Sequence, residues 1–205
     1  MSEPTMQSPL APFDLNARAK PVDASAGVWA NEIGLMGYIS LRGNSADAAF
    51  TAAASRALGV ELPVEPCTYT EKGLLKVLWL SPDEWLIVCA RADRAHIVGA
   101  LSATLRDIRS QVADNSGGYT QILLEGANAA DVLSHVSVYN LDHLSAGRVV
   151  GTTFGKSSVY LHRLGDDGFC LILRRSFADY IWRYLERAAA PYGFAVARLE
   201  QGSPS

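Results

Sequence analysis

Few residues of this chain have the types and spacing that chemistry needs. Asp83-Glu84 and Asp166-Asp167 are paired carboxylates of the kind that general acid and base catalysis uses. Each pair sits in a short polar segment between apolar runs, where acidic residues favour tight turns for backbone reasons, and no nucleophile or base completes a site. The four histidines, His96, His135, His143 and His162, have no Cys or carboxylate at metal-ligand spacing and read as surface or packing residues. Phe154-Gly155-Lys156-Ser157 looks like the end of a phosphate-binding loop, but Val150 stands where that loop needs its first glycine, and a strand pattern follows where it needs a helix. No G-x-G-x-x-G follows a strand, so neither NAD nor FAD is indicated within the chain. Catalytic and metal residues are therefore expected to be absent.

Three residues invite a ligand or an interface. Arg174 and Arg175 follow directly on an apolar strand and precede a helix start, a place suited to anions. The plainer reading of the pair is a solvated strand end or an interface salt bridge. Trp79 alternates away from Leu78 and Leu80, and an exposed tryptophan suits a protein interface.

The elements that must position these residues are organised around Val77 to Cys89, VLWLSPDEWLIVC. Two apolar runs flank Ser81-Pro82-Asp83-Glu84, which is turn chemistry, so the stretch reads as a β-hairpin. The second arm is apolar on both alternating faces and is expected to be a central strand covered on both sides. An offset of about 84 residues lays Asp83 on Asp167, Trp85 on Phe169, Val88 on Ile172 and Arg91 on Arg175. The strand-turn-helix stretch GYISLRGNSADAAF likewise matches GYTQILLEGANAADVL. Asn44 or Ser45, Asp93, Asn128, and Ser176 with Asp179 are the expected helix caps. Ser110 to Ser116 and Phe194 to Leu199 are the expected closing strands.

These signals predict an α+β fold of two pseudo-symmetric β-α-β-β-α-β, ferredoxin-like halves, with antiparallel sheets and helices on one face. The expected divisions are a proline-rich extended N-terminal arm over 1–27, a first half over 28–116 and a second over 117–200. The 205 residues, 49% of them apolar, supply ample core, and a net charge of −3 gives no basic stripe for nucleic acid. Three widely spaced cysteines, an N-terminus without the apolar centre of a signal peptide, and no apolar run of membrane length lead to an expected cytoplasmic location without membrane contact.

Several motifs in order resemble the gamma subunit of heterotetrameric sarcosine oxidase. They are LRGNSADAAF (Leu41 to Phe50), ALGVELP (Ala57 to Pro63), LWLSPDEWLIV (Leu78 to Val88), DNSGGYTQILLEG (Asp114 to Gly126) and RRSFADYIWRYLE (Arg174 to Glu186). That family is similar to folate-binding aminomethyltransferases, which implies an aminomethyltransferase-like fold and an Asp-x-Ser opening matched by Asp114 and Ser116. The Lys-Gly-Cys-Tyr motif of the free-standing folate binders is missing from Leu144 to Gly155. The resemblance implies a complex that demethylates sarcosine oxidatively to glycine. Its alpha, beta and delta subunits would hold FAD, FMN, NAD, tetrahydrofolate and zinc, and this chain would be a non-catalytic structural partner, inactive alone. Two alternatives stand beside it: a module that binds a folate-like anion between the halves, and the equivalent subunit of an N-methylglutamate dehydrogenase-type complex. A filled groove between the halves favours assembly, whereas an open one lined by Arg174, Arg175, Trp79 or Asp114 favours binding.

Overall fold

The computed structural model describes residues 6–165 and 168–199, so the Asp166-Asp167 pair lies outside the described residues. The chain enters through a 3-10 turn, Ala11–Phe13, helix α1 (Leu15–Arg18) and strand β1 (Val28–Ile33). Strand β2 (Gly37–Arg42), helix α2 (Ala48–Leu58), the strands β3 (Tyr69–Lys72), β4 (Leu75–Ser81) and β5 (Glu84–Cys89), helix α3 (Arg94–Thr104) and strand β6 (Gln111–Asp114) follow. The same order returns as β7 (Tyr119–Glu125), α4 (Ala129–Val136), β8 (Val149–Phe154), β9 (Ser157–Leu164), β10 (Gly168–Arg174), α5 (Ala178–Ala189) and β11 (Phe194–Val196).

The strands form two sheets, in the orders β3-β4-β5-β2-β6 and β8-β9-β10-β7-β1-β11. The repeat extends to the register. Trp85 on β5 pairs with Leu41 and Trp79, and Phe169 on β10 pairs with Leu124 and Arg163, the same partners displaced along the chain. Each repeated unit, β2 to β6 and β7 to β11, carries one strand more than the sequence pattern indicates, and β1 is a further one. β3 is a half-exposed to exposed edge strand, and so shows no apolar alternation. β8 lies in what reads as a loop, because Gly151, Thr152 and Thr153 interrupt its apolar residues.

Two features depart from the expected divisions. Strand β1, whose residues fall within the expected first half although no strand is expected there, is inserted in the second sheet, antiparallel to β7 and parallel to β11. Its run Val28 to Asn31 is buried throughout, as an interior strand requires. The N-terminal segment is also not simply an extended arm. Leu10 and Leu15 are buried in the core of the second half, and the Phe13 ring stands 6.0 Å from that of Trp182. Two buried leucines outweigh the prolines around them, since fully burying such a side chain contributes about 1.5–3 kcal/mol, and the half-buried Phe13 adds to this.

Four layers result. Helices α2 and α3 cover the outer face of the five-stranded sheet, burying Ile39, Leu41, Trp85 and Ile87 with Phe50 and Leu101. Helices α4 and α5 cover the six-stranded sheet, burying Ile122, Leu124, Phe169 and Leu171 with Val132 and Trp182. The inner faces meet each other: Tyr38, Leu78, Leu86 and Val88 pack against Tyr119, Val149, Cys170 and Ile172. That apolar contact between the sheets is why β5 and β10 are apolar on both faces.

Helix starts differ in detail from the sequence reading. The cap of α2 is Asp47, not Asn44 or Ser45, and its carboxylate accepts the N–H groups of Ala49 at 2.9 Å and Phe50 at 3.4 Å. Asp93 and Asn128 stand at the cap positions of α3 and α4 without side-chain cap bonds. A 3-10 turn, Arg175–Phe177, replaces the expected capping box before α5, and Asp179 pairs with Arg183 at 2.9 Å instead.

Candidate functional site

The turn from β6 into β7 joins the two repeated units, and it holds Asp114 and Ser116. The Asp114 carboxylate accepts from the Ser116 N–H at 2.9 Å and hydroxyl at 2.5 Å, and lies 3.4 Å from the Arg94 guanidinium. Burial pushes this carboxyl up, but the Ser116 bonds and the Arg94 and Arg91 charges outweigh it and hold it below the ordinary value. The buried Ser116 hydroxyl accepts the Tyr38 N–H at 3.0 Å, while Asn115 donates its backbone N–H to the Tyr38 carbonyl at 2.8 Å. Asp114 and Ser116 thus fasten the link to β2. The bonds these two side chains make serve the fold.

Arg174 ends β10 with its guanidinium 4.3 Å from the centre of the Tyr119 ring, a cation–π contact. Both line a cavity of about 670 Å³, with Tyr139, Thr152, Ser158 and Tyr160 on its wall. Every lining residue belongs to the second half, so this is not a groove between halves. Between the sheets the space is filled by the shared apolar layer, and a recess of about 190 Å³ bordered by Arg91, Ser116 and Arg175 stays open at the seam. Arg175 turns elsewhere: its backbone N–H donates to the Gly118 carbonyl at 2.9 Å and its guanidinium to the Gln7 carbonyl. Trp79 borders neither cavity. It packs half-buried on the core beneath α2 and α3, and its indole N–H is buried without a partner among the described residues. The five candidates therefore divide. Arg175 and Ser116 border one small recess, Arg174 borders the larger cavity, and Trp79 and Asp114 border neither.

The sequence reading missed a polar group inside the inter-sheet layer. His162 on β9 is 1% exposed, with both ring nitrogens lacking a partner among the described residues. Burial, with the nearby Lys76 charge, depresses its pKa to about 3, so the ring is neutral. Lys76 is itself buried and pairs with Glu71 at 2.5 Å. The Cys170 thiol, pushed up to about 12 by burial, donates to Gln121 at 3.3 Å. The alternation of β9 and β4 carries the only signal for this layer: His162 and Lys76 fall on the faces opposite the helix-facing Leu161 and Val77.

Two further geometric facts bear on chemistry. Gly155-Lys156 is the two-residue turn of the β8–β9 hairpin, with Phe154 paired to Ser157 across it. No helix N-terminus follows to cradle a phosphate there. Among the described residues, no group of three or more His, Cys, Asp or Glu side chains is placed to hold a metal ion.

Comparison with known proteins agrees with this architecture. The Sarcosine oxidase, gamma subunit family matches residues 42–191. The sarcosine oxidase subunit gamma of Corynebacterium sp. strain U-96 is 27% identical over 194 residues, covering 92% of each chain. A chain of the heterotetrameric sarcosine oxidase of Corynebacterium sp. U-96 superposes with a TM-score of 0.82 at 25% identity, covering 95% of this chain and 99% of that one. An aminomethyltransferase of Streptomyces avermitilis is 27% identical over 141 residues, only 38% of its own length. The glycine cleavage system aminomethyltransferase T of Bartonella henselae, at 17% identity and a TM-score of 0.67, shares the fold. These comparisons do not favour a free-standing folate-like binding module or an N-methylglutamate dehydrogenase-type subunit. With a match over most of its length, in sequence and in fold, the chain belongs to the sarcosine oxidase gamma subunit family.

Proposed function

We propose that this chain is a non-catalytic subunit that supports the assembly of a heterotetrameric sarcosine oxidase, alongside alpha, beta and delta subunits. The observation that carries the reading is its near-complete superposition on a chain of such a complex, covering 99% of that chain. In this reading the partners hold FAD, FMN, NAD, tetrahydrofolate and zinc, and the assembly converts sarcosine to glycine. This chain contributes surface. Val138 is 87% exposed, and Phe177 and Tyr180 stand out beside the start of α5, apolar area that water disfavours and a partner would cover. An obligate contact of this kind buries roughly 2,000 Å² or more.

The test is co-expression of the tagged chain with alpha, beta and delta subunits, followed by size exclusion and mass measurement. One complex with a single copy of each chain is expected. Recovery of the tagged chain alone, free of the other three at stoichiometric expression, would contradict the proposal.

A further inference from the structure

The repeat that relates the two halves also relates two arginines. Arg91 follows β5 and Arg175 follows β10 at matching positions of the two units. Both line one recess of about 190 Å³. Met6, Gln7 and Pro9 of the N-terminal segment form part of its wall, so the segment lies across the place where the halves' arginines meet. That volume has room for about six waters.

The acceptors these guanidiniums hold are poor ones. Arg175 donates to the backbone carbonyl of Gln7. Arg91 contacts the Met6 sulfur at 2.7 Å and reaches the Met36 carbonyl only at 3.5 Å. A thioether is a weak acceptor, and neither it nor a carbonyl carries the charge that a guanidinium fork matches best. Among the described residues, no carboxylate lies within ion-pair distance of either arginine. The carboxylates bonded to neighbouring residues are already engaged: Asp114 with Ser116 and Arg94, and Glu32 with Ser8 and Thr120. Two cations therefore face one small recess with only neutral acceptors in direct contact, the Asp114 carboxylate feeling the Arg91 charge from beyond ion-pair distance.

We propose that Arg91 and Arg175 form a binding site for a small oxyanion, phosphate or a carboxylate, and that Met6–Pro9 is a strap closing over it. A tetrahedral or planar oxyanion offers each planar guanidinium two oxygens and relieves the repulsion between the two cations. The strap's present contacts are weak enough to yield: one carbonyl and one thioether are displaced, and Ser8 keeps the segment anchored through Glu32. The proposal does not rest on the assembly reading, because every residue it uses lies in this chain.

Thermal unfolding of the full chain, in phosphate, acetate or chloride at matched ionic strength, tests the site. Phosphate or acetate should raise Tm saturably above chloride, and the one that saturates at the lower concentration identifies the class of ligand. Arg91→Gln and Arg175→Gln should each weaken half-saturation by about tenfold or more, as loss of a charged hydrogen-bond donor does. Arg174→Gln, outside the recess, should leave it unchanged. Hydrogen exchange over residues 6–10 should slow at saturation. Equal Tm in all three salts, or a rise that survives Arg91→Gln/Arg175→Gln together, would overturn the site, and unchanged exchange over residues 6–10 would overturn the strap.

Discussion

His162 links a single side chain to the stability of the whole inter-sheet layer. Its ring is neutral in the folded protein, with a pKa lowered from 6.5 to about 3 by burial and by Lys76. As pH falls below about 6.5 the unfolded chain takes up a proton that the folded chain refuses. The contribution of a neutral His162 is thus complete above that pH and is lost progressively toward pH 3, at up to about 1.4 kcal/mol per pH unit. Denaturant unfolding from pH 7.5 to 4.5 should show this slope in the native chain and a shallower one in His162→Leu. Identical slopes would mean that the ring is not excluded from water. Sequence reading took His162 for a surface or packing residue without placing it between sheets, because burial there depends on the second sheet. Trp79 illustrates the opposite error. Alternation correctly set it on the face opposite Leu78 and Leu80, yet that face is the one the helices cover.

At the scale of elements, local chemistry determined most starts and stops. Gly59 ends α2 in the left-handed region at φ 70°, where glycine carries no Cβ penalty, as its place after Leu58 suggests. The start of α2 was less legible, since Asn44, Ser45 and Asp47 are all capping types and only the path of the chain after Gly43 decides among them. Asp47→Ala should therefore destabilise the chain by about 1 kcal/mol in urea unfolding, and Ser45→Ala by much less. Equal losses would misplace the cap. The hairpin of β4 and β5 was legible because Pro82-Asp83 is turn chemistry between apolar arms. β3 was not, because an edge strand with one neighbour needs no apolar alternation.

For the whole molecule, duplication was readable from the offset between Trp85 and Phe169, and the matching registers of their strands express it in three dimensions. The insertion of β1 was not readable, because nothing in Val28 to Ile33 specifies which sheet it joins. It makes the halves interdependent: residues 117–205 alone would leave β7 and β11 without the strand between them. That fragment should be largely unfolded by far-UV circular dichroism and regain structure only when 1–116 is added. A cooperative unfolding transition in 117–205 alone would contradict this. Sarcosine turnover with and without this chain tests the proposed assembly role. Alpha, beta and delta subunits should oxidise sarcosine stably when co-expressed with the chain, should lose subunits and activity without it, and the chain alone should show no turnover. Turnover by the isolated chain, or a stable and fully active complex that lacks it, would contradict the account.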